Sequence, residues 1–415
     1  MLSQDPIIVD AFDGDAVATT WRAIDSTVAI NREPARLKEG SGSLRWEARA
    51  ERASVTTTKI PADWTEIGRL TAFVLLADEK ARTLEVELRE KQGSARFWRK
   101  IALKPLVWTE ISLGPYQFRA EGAPSWKRIA SLGFVLRDGP ANLYVDTVTL
   151  ARHKGELPPF LEPGDALVKR AFGESKDVVR TATRNFRAFS NAPLDGDKLG
   201  AALEEFFVLF RKSLALKEAD LDYPVTLVIH SKRDAYVDFA VRTARDVYGA
   251  EVPAKRIWAE GYTFFDYSFT SYLNERHERR PVFFHEVCHQ LLTRLLGLRG
   301  ALGATWVEEG LCYFLQNEFI PQDDLGAEVK SLLDNARRPK LADLDGRIAP
   351  QGAVNLQALS IMAFLHDGRH KEHFAKILAT LAKDASLAAA VENVLKTTTA
   401  EFDAEWQAWC RERYK

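Results

Sequence analysis

Cysteine is scarce. Cys288, Cys312 and Cys410 are the only three in 415 residues. They make no disulfide framework, and an odd count leaves one thiol free unless it pairs between chains. An excess of either charge is also missing. Lys and Arg number 57 against 58 Asp and Glu, for a net charge of −1. This removes the electrostatic case for nucleic acid or an anionic membrane. No apolar run reaches the ~18–20 residues of a membrane span, so no transmembrane segment is expected. The start, Met1 to Pro6, has no basic region followed by an apolar run, so no signal peptide is read there. Internal repeats and low-complexity tracts are lacking too. What is present suits folding: 46% hydrophobic and 28% charged residues supply cores and soluble surfaces and exclude disorder as the main state. At ~150 residues per domain the length suggests two or three domains.

Two textures follow one another. Up to about Leu150 the chain reads as short alternating strands, among them Ser43–Ala50, Leu70–Ala77, Thr83–Glu90, Ala95–Leu103, Trp108–Leu113, Ser131–Arg137 and Asn142–Leu150. Alternation of apolar and polar residues is what a half-buried antiparallel strand requires, and the series predicts an all-β sandwich over residues 1–152. Residues 153–165 are rich in Pro and Gly and read as a linker. Residues 166–415 read as α+β. Strands are expected at Phe186–Ser190 and Val225–His230, and helices at Lys198–Leu216 and Asp234–Tyr248. After Pro281 helices dominate: Val282–Leu296, Thr305–Phe319, Asn355–His366, Phe374–Leu381, Leu387–Leu395 and Thr399–Arg413.

The chemistry is concentrated in Phe283 to Leu292, which contains His285-Glu286-x-x-His289. On a helix, residues four apart differ by about 40° in direction, so both imidazoles face one way and can bind one Zn²⁺. Glu286 beside them can reach water at the metal. The bland alternative is a buried helix with two ordinary histidines. Catalytic zinc commonly takes three protein ligands and a water, and Thr305 to Phe314, with Glu308, Glu309 and Gly310, offers a carboxylate from a second helix. Gly310 would let the two helices approach closely, at a cost of about 1 kcal/mol in helix propensity. Adjacent helical residues point about 100° apart, so only one of Glu308 and Glu309 can face the metal. Cys288 points off the ligand face and reads as a small buried hydrophobe.

These motifs resemble the gluzincin metallopeptidases, and most closely the peptidase-MA-like branch, whose members read HExxHxLL and then WLxEGLAEYF. Val225–His230, Gly261-Tyr262 and Asn355–Leu365 resemble flanking segments of that branch, so the likeness covers most of Asp177–Thr380. It implies an α+β zincin-like domain, mostly helical after the zinc helix. It further implies His285, His289 and Glu309 as zinc ligands, Glu286 as general base, and Glu308 as a solvated neighbour. Asn355 stands where the branch has Tyr, and Ala358 where it has Ser. If that tyrosine stabilises the transition state, Tyr262, Tyr267, Tyr313 and His366 are the candidates to replace it; the alternative for each is a core aromatic or a surface histidine.

The first half resembles galactose-binding-like jelly rolls, the fold of many carbohydrate-binding modules. The resemblance implies an N-terminal jelly-roll sandwich that takes a glycan as partner. Asp10, Asp13 and Asp146 are candidates for a structural Ca²⁺, against a reading as turn aspartates. Trp21, Trp46, Trp64, Trp98, Trp108 and Trp126 either stack on sugars or fill the core.

The combined expectation is a zinc peptidase acting on peptide or glycoprotein. The alternatives are a glycan-binding protein with an inactive zincin domain, and a zinc hydrolase of a non-peptide amide. A glycan-facing module and the export common in the resembled branch point outside the cytoplasm, secreted or periplasmic. The cysteine usage fits a cytosolic enzyme equally well.

Overall fold

The computed structural model describes the chain apart from residues 1–5, 15–19, 92, 94, 123, 154–159, 176, 217–220, 222, 249–251, 257–259, 265–266, 272–280, 297–304, 336–337, 342–343, 345–351 and 382–385. Two compact units result, Met1–Arg170 with Val241–Pro253, and Ala171–Ala240 with Ala254–Lys415. The expected linker is partly structured, since helix α1 (Gly164–Phe172) begins inside it. Its residues 154–159 lie outside the described residues.

The first unit is an antiparallel β-sandwich. Its strands are β1 (Ile7–Asp10), β2 (Arg22–Ile24), β3 (Ser26–Asn31), β4 (Ser43–Ala48), β5 (Ala53–Thr57), β6 (Ile67–Leu76), β7 (Arg82–Glu90), β8 (Arg96–Leu103), β9 (Trp108–Leu113), β10 (Arg119–Glu121), β11 (Ile129–Leu136) and β12 (Ala141–Arg152). One sheet runs β3-β4-β12-β6-β9 with β1 on β12, the other β10-β8-β7-β11-β5-β2. Eight principal strands, β4 to β9 with β11 and β12, are thereby arranged 1-8-3-6 and 2-7-4-5. This nesting of late strands between early ones is the order of a jelly roll. Alternation drives it: Leu84, Val86 and Leu88 of β7 are fully buried, as are Leu44 and Trp46 of β4. Trp21 stacks on Phe134 at 5.9 Å, Trp126 on Phe97 at 3.7 Å, and Trp64 is fully buried. These three tryptophans and Trp46 are core, so of the six only Trp98 and Trp108 keep partly exposed surface for a ligand.

The second unit carries a five-stranded sheet ordered β13 (Val179–Ala182), β14 (Phe186–Ser190), β15 (Val225–His230), β17 (Tyr267–Ser271), β16 (Gly261–Phe264). The three inner strands are parallel and both ends antiparallel. Every residue of β15 is buried, as a central parallel strand requires. Helix α2 (Gly196–Ser213) crosses over between β14 and β15. Its N-terminus is capped by Asp195, which accepts from the backbone N–H of Asp197 and Lys198. After α3 (Arg233–Tyr248) and the β16–β17 hairpin come α4 (Phe283–Leu296), α5 (Thr305–Phe319), α6 (Leu325–Asp334), α7 (Ala353–Asp367), α8 (Phe374–Leu381), α9 (Leu387–Ala390) and α10 (Thr399–Arg413). The expected single helix at Leu387–Leu395 widens into a π turn at Val391–Leu395, ended by left-handed Lys396. Gly310 makes a close helix contact, but with α7 rather than α4: a Cβ there would lie 2.9 Å from the Ala358 carbonyl. Among the described residues no helix is long and apolar enough to cross a membrane.

Charge is also buried in the sandwich. Glu85 and Glu87 of β7 are each 3% exposed, and Arg96 binds both, at 2.6 Å to Glu85. Arg137 lies 3.0 Å from Glu85. Burial pushes the Glu85 carboxyl up, but the hydrogen bonds it accepts and the Arg96 charge outweigh this and hold it at about 2. A value below the ordinary 4.5 means the contribution to stability is complete above about pH 4.5 and is lost as pH falls toward 2. Thermal melts followed by tryptophan fluorescence should therefore show the sandwich transition dropping below pH 4.5. Glu85→Gln should flatten that drop, and an unchanged profile in the variant would contradict this account.

Candidate metal centre

The HExxH helix α4 lies on the sheet and is tied to it by side chains. Gln290 Nε2 donates to the Thr226 carbonyl at 3.0 Å and to Ser268 Oγ at 2.7 Å. Ser268 Oγ donates to the Glu286 carbonyl at 2.9 Å, and Thr263 Oγ1 lies 2.8 Å from the same oxygen. These bonds fix the rotation of α4 and therefore where its histidines point.

His285 Nε2 and His289 Nε2 meet at 3.1 Å. Glu309 of α5 completes the group, with Oε2 3.3 Å from His285 Nε2 and Oε1 3.6 Å from His289 Nε2. Tetrahedral zinc with bonds of about 2.0–2.1 Å has donors about 3.3–3.4 Å apart, and the separations among the two imidazoles and the Glu309 carboxylate are close to that length. Cys312, one helical turn beyond Glu309, also comes within 4.8 Å of both imidazoles. Burial raises its thiol well above the ordinary range, and the contact with Cys288 adds to this. Glu309, with oxygens 3.3 and 3.6 Å from the two imidazoles, is the nearer third donor. Its carboxyl is pushed up by burial but held at about 2 by the two histidines. Burial pulls His289 down, yet Glu309 and Glu308 push it up to about 10.

Glu308 differs from the expected solvated neighbour. Its Oε1 accepts from His289 Nδ1 at 2.8 Å, which fixes the rotation of the ring and directs Nε2 toward Glu309. A ligating histidine commonly donates its other N–H to a carboxylate, but the partners are 19 residues apart and nothing local in the sequence marks Glu308 for that role. His285 Nδ1 is buried without a hydrogen-bond partner among the described residues, and its ring is held by Tyr313 at 4.3 Å.

Glu286 is buried, and burial raises its carboxyl even though His289 and His285 draw it down. Its Oε2 accepts from Thr263 Oγ1 at 2.7 Å. Gly261 makes room for it: a Cβ there would fall 2.5 Å from both Cγ and Oε1 of Glu286. Tyr236 of α3, which sequence reasoning missed, buries a hydroxyl without a hydrogen-bond partner among the described residues. Burial raises that phenol, and the Glu286 charge raises it further.

The four candidates for transition-state stabilisation separate. Tyr313 lies against His285, and its hydroxyl accepts from Asn355 Nδ2 at 3.3 Å. Asn355 therefore reaches the site through Tyr313. Tyr262 lies between Gly261 and Thr263, both of which face Glu286, so strand alternation turns it to the opposite face. The Tyr267 side chain lies outside the described residues. His366 bonds Asp367 and packs on Phe314 and Phe374. It lies about 16 Å along α7 from Asn355 at 1.5 Å per residue, so the structure does not bring it to the site.

The residues expected to hold calcium do not fit the ion. Asp10 accepts from Phe12 N, Trp21 Nε1 and Thr20 Oγ1. Asp13 accepts from Ser41 N and Oγ, and Asp146 from Lys38 N, Glu39 N and Thr147 Oγ1. N–H and O–H donors, which a cation would have to displace, hold all three. The carbonyls of Phe12, Asp13, Gly14 and Ser41 converge instead on the Arg32 guanidinium at 2.9–3.3 Å. A side-chain cation gathers these loops.

No family model matches the chain, and no curated protein matches it. Among solved structures, a family 11 carbohydrate-binding module from Clostridium thermocellum, in complex with a β-1,3-1,4-mixed-linked tetrasaccharide, is similar at 14% identity. It covers 36% of this chain and 96% of its own, with a TM-score of 0.31. The CBM22-1 xylan-binding domain from Paenibacillus barcinonensis Xyn10C is similar at 16% identity over 37% of this chain and 99% of its own, with a TM-score of 0.29. The jelly-roll description rests on the strand order and not on these likenesses.

Two outcomes are expected. Arg32→Ala should lower the melting transition of the sandwich by roughly 5 °C, since hydrogen bonds to a charged group contribute about 1.5–3 kcal/mol; chelator at constant ionic strength should leave that transition in place. Glu308→Gln should weaken zinc binding by about 10–100-fold, as measured by competition with a chromogenic chelator.

Proposed function

We propose that the second unit is a zinc-dependent peptidase. The observation that carries the reading is the approach of His285 Nε2 and His289 Nε2 to 3.1 Å of each other, each 3.3–3.6 Å from one oxygen of the Glu309 carboxylate, with Glu286 buried beside them. The donor set suits zinc: two imidazoles, one ionised carboxylate and a second carboxylate orienting an imidazole. Zinc held there supplies Lewis acidity toward a carbonyl oxygen and lowers the pKa of a water to about 7.

The residues of this chain do the rest. Thr263 occupies Glu286 Oε2 and leaves Oε1, beside Gly261, to take a proton from water. The water oxygen forms the new bond to the scissile carbon. When the C–N bond breaks, Glu286 returns the proton to the leaving amine. The Tyr313 hydroxyl, positioned by Asn355, is the donor for the developing oxyanion.

A peptide is favoured over another amide by β16. It ends the described sheet order and carries Gly261 and Thr263 beside Glu286. An edge strand at a catalytic group can take an extended peptide as a further strand. For the sandwich we infer a glycan-binding role, supported by Trp98, an incompletely buried indole on the outer face of a jelly-roll sheet.

The test uses the full chain. After incubation with Zn²⁺ and desalting, elemental analysis should find one zinc per chain, and a peptide-library digest read by mass spectrometry should show cleavage. Glu286→Gln should keep the zinc and lose at least about 1,000-fold in rate, and Tyr313→Phe about 100-fold with zinc retained. A wild-type chain that takes up no zinc, or cleavage that persists in Glu286→Gln, would refute the reading.

A further inference from the structure

The outer face of the second sandwich sheet holds a constellation that the metal centre does not use. Register places Arg119 beside Trp98, Trp98 beside Glu87, Glu87 beside Gly133, Gly133 beside Thr56, and Thr56 beside Arg22. Residues facing one another across neighbouring strands share a face, so this row crosses the whole sheet from β10 to β2. The same alternation puts Arg96, Lys100, Glu85, Arg89 and Glu121 on that face.

Charge on this face is layered. The carboxylates lie at the bottom: Glu85 and Glu87 are almost completely buried and their oxygens are taken up by Arg96, Arg137 and Arg89. Arg96 also reaches Glu121 at 2.6 Å. Cations lie above. Around the incompletely buried Trp98 indole stand Arg119 at 4.5 Å from the ring centre, Arg96 at 5.2 Å and Lys100 at 5.9 Å. Arg22, Lys100 and Arg137 are exposed. The named side chains comprise six cations, Arg22, Arg89, Arg96, Lys100, Arg119 and Arg137, against Glu85, Glu87 and Glu121. The surplus is three positive charges on a chain whose net charge is −1. Gly133, in mid-row, keeps the floor low beside Thr56.

This chemistry selects among sugars. A neutral sugar offers hydroxyls, which both donate and accept, and a site for it needs accessible acceptors. Arginine and lysine have none, the two central carboxylates are buried and engaged, and the exposed Glu121 at the sheet edge is drawn to Arg96 by both Nε and Nη2. A sugar carboxylate only accepts, and guanidinium binds it with paired hydrogen bonds. The indole supplies a surface for an apolar pyranose face. We propose that this face binds a carboxylate-bearing glycan, with a sugar ring on Trp98 and its carboxylate held by Arg119 and Lys100. The proposal rests on the reading of the sandwich as a glycan-binding module and specifies the ligand class.

Affinity electrophoresis and calorimetry on the full chain test it, with polygalacturonate, polysialic acid and neutral mixed-linkage β-glucan as ligands. Binding to either acidic polymer, and none to the glucan, is expected. Whether polygalacturonate or polysialic acid binds tells a uronic acid from a sialic acid source. Trp98→Ala and Arg119→Gln should each weaken binding at least about 10-fold with the far-UV spectrum and melting transition retained, while Arg119→Lys should recover part of the loss. Dextran sulfate serves as the polyanion control. Binding to glucan alone would overturn the carboxylate assignment and leave the glycan reading standing. Binding to none of the polymers would overturn both. Acidic-polymer binding that Trp98→Ala leaves intact, or that dextran sulfate matches in both proteins, would show nonspecific charge attraction and overturn the proposal.

Discussion

Three carboxylates and two imidazoles share a space in the second unit from which water is largely excluded, and the order of that unit follows from keeping them there. Unpaired charge in such a place is costly, so each group is answered by another. Glu308 holds His289, Glu309 spans both histidines, and Thr263 holds Glu286. The supports are themselves anchored, because Gln290 and Ser268 pin α4 to the sheet. A cation at the centre would complete the balance. The long helices around it supply the apolar packing that keeps the cluster dry, with Val287, Leu291 and Leu311 fully buried.

Much of this architecture could be read from residue order. The α5 helix has the bounds its periodicity predicts, Thr305–Phe319, and β14, β15 and β9 are likewise as read. The strands that escaped, β1, β2, β3, β5, β10, β13, β16 and β17, have three to six residues each, too few for period two to stand out. Helix α6 was missed although its apolar residues Leu325, Val329, Leu332 and Leu333 follow a helical spacing. The meeting of His285 and His289 was legible because HExxH ties them to one helix face. Glu308 and Arg32 were not: each acts through a partner distant in sequence, and nothing local marks a carboxylate as holding an imidazole or a guanidinium as holding four carbonyls. The aspartates misled for the same reason. Their number suggested calcium, whereas their bonding partners lie up to 108 residues away.

The two units use buried acid differently. In the sandwich, Glu85 and Glu87 are matched by arginines on the same sheet, and the cations lie toward solvent. In the second unit the acids surround a space that a positive charge would fill. The first arrangement presents a fixed charge pattern to large molecules, while the second concentrates field on a single point.

The pairing of β1 with β12, Ile7 beside Leu150, closes the jelly roll with its first strand against its last. The backbone ladder is thus complete within one contiguous stretch of polypeptide, and the points of entry and exit are neighbours. Every strand pairing of the sandwich is therefore made within residues 7–152, and none depends on the five-stranded sheet of the second unit.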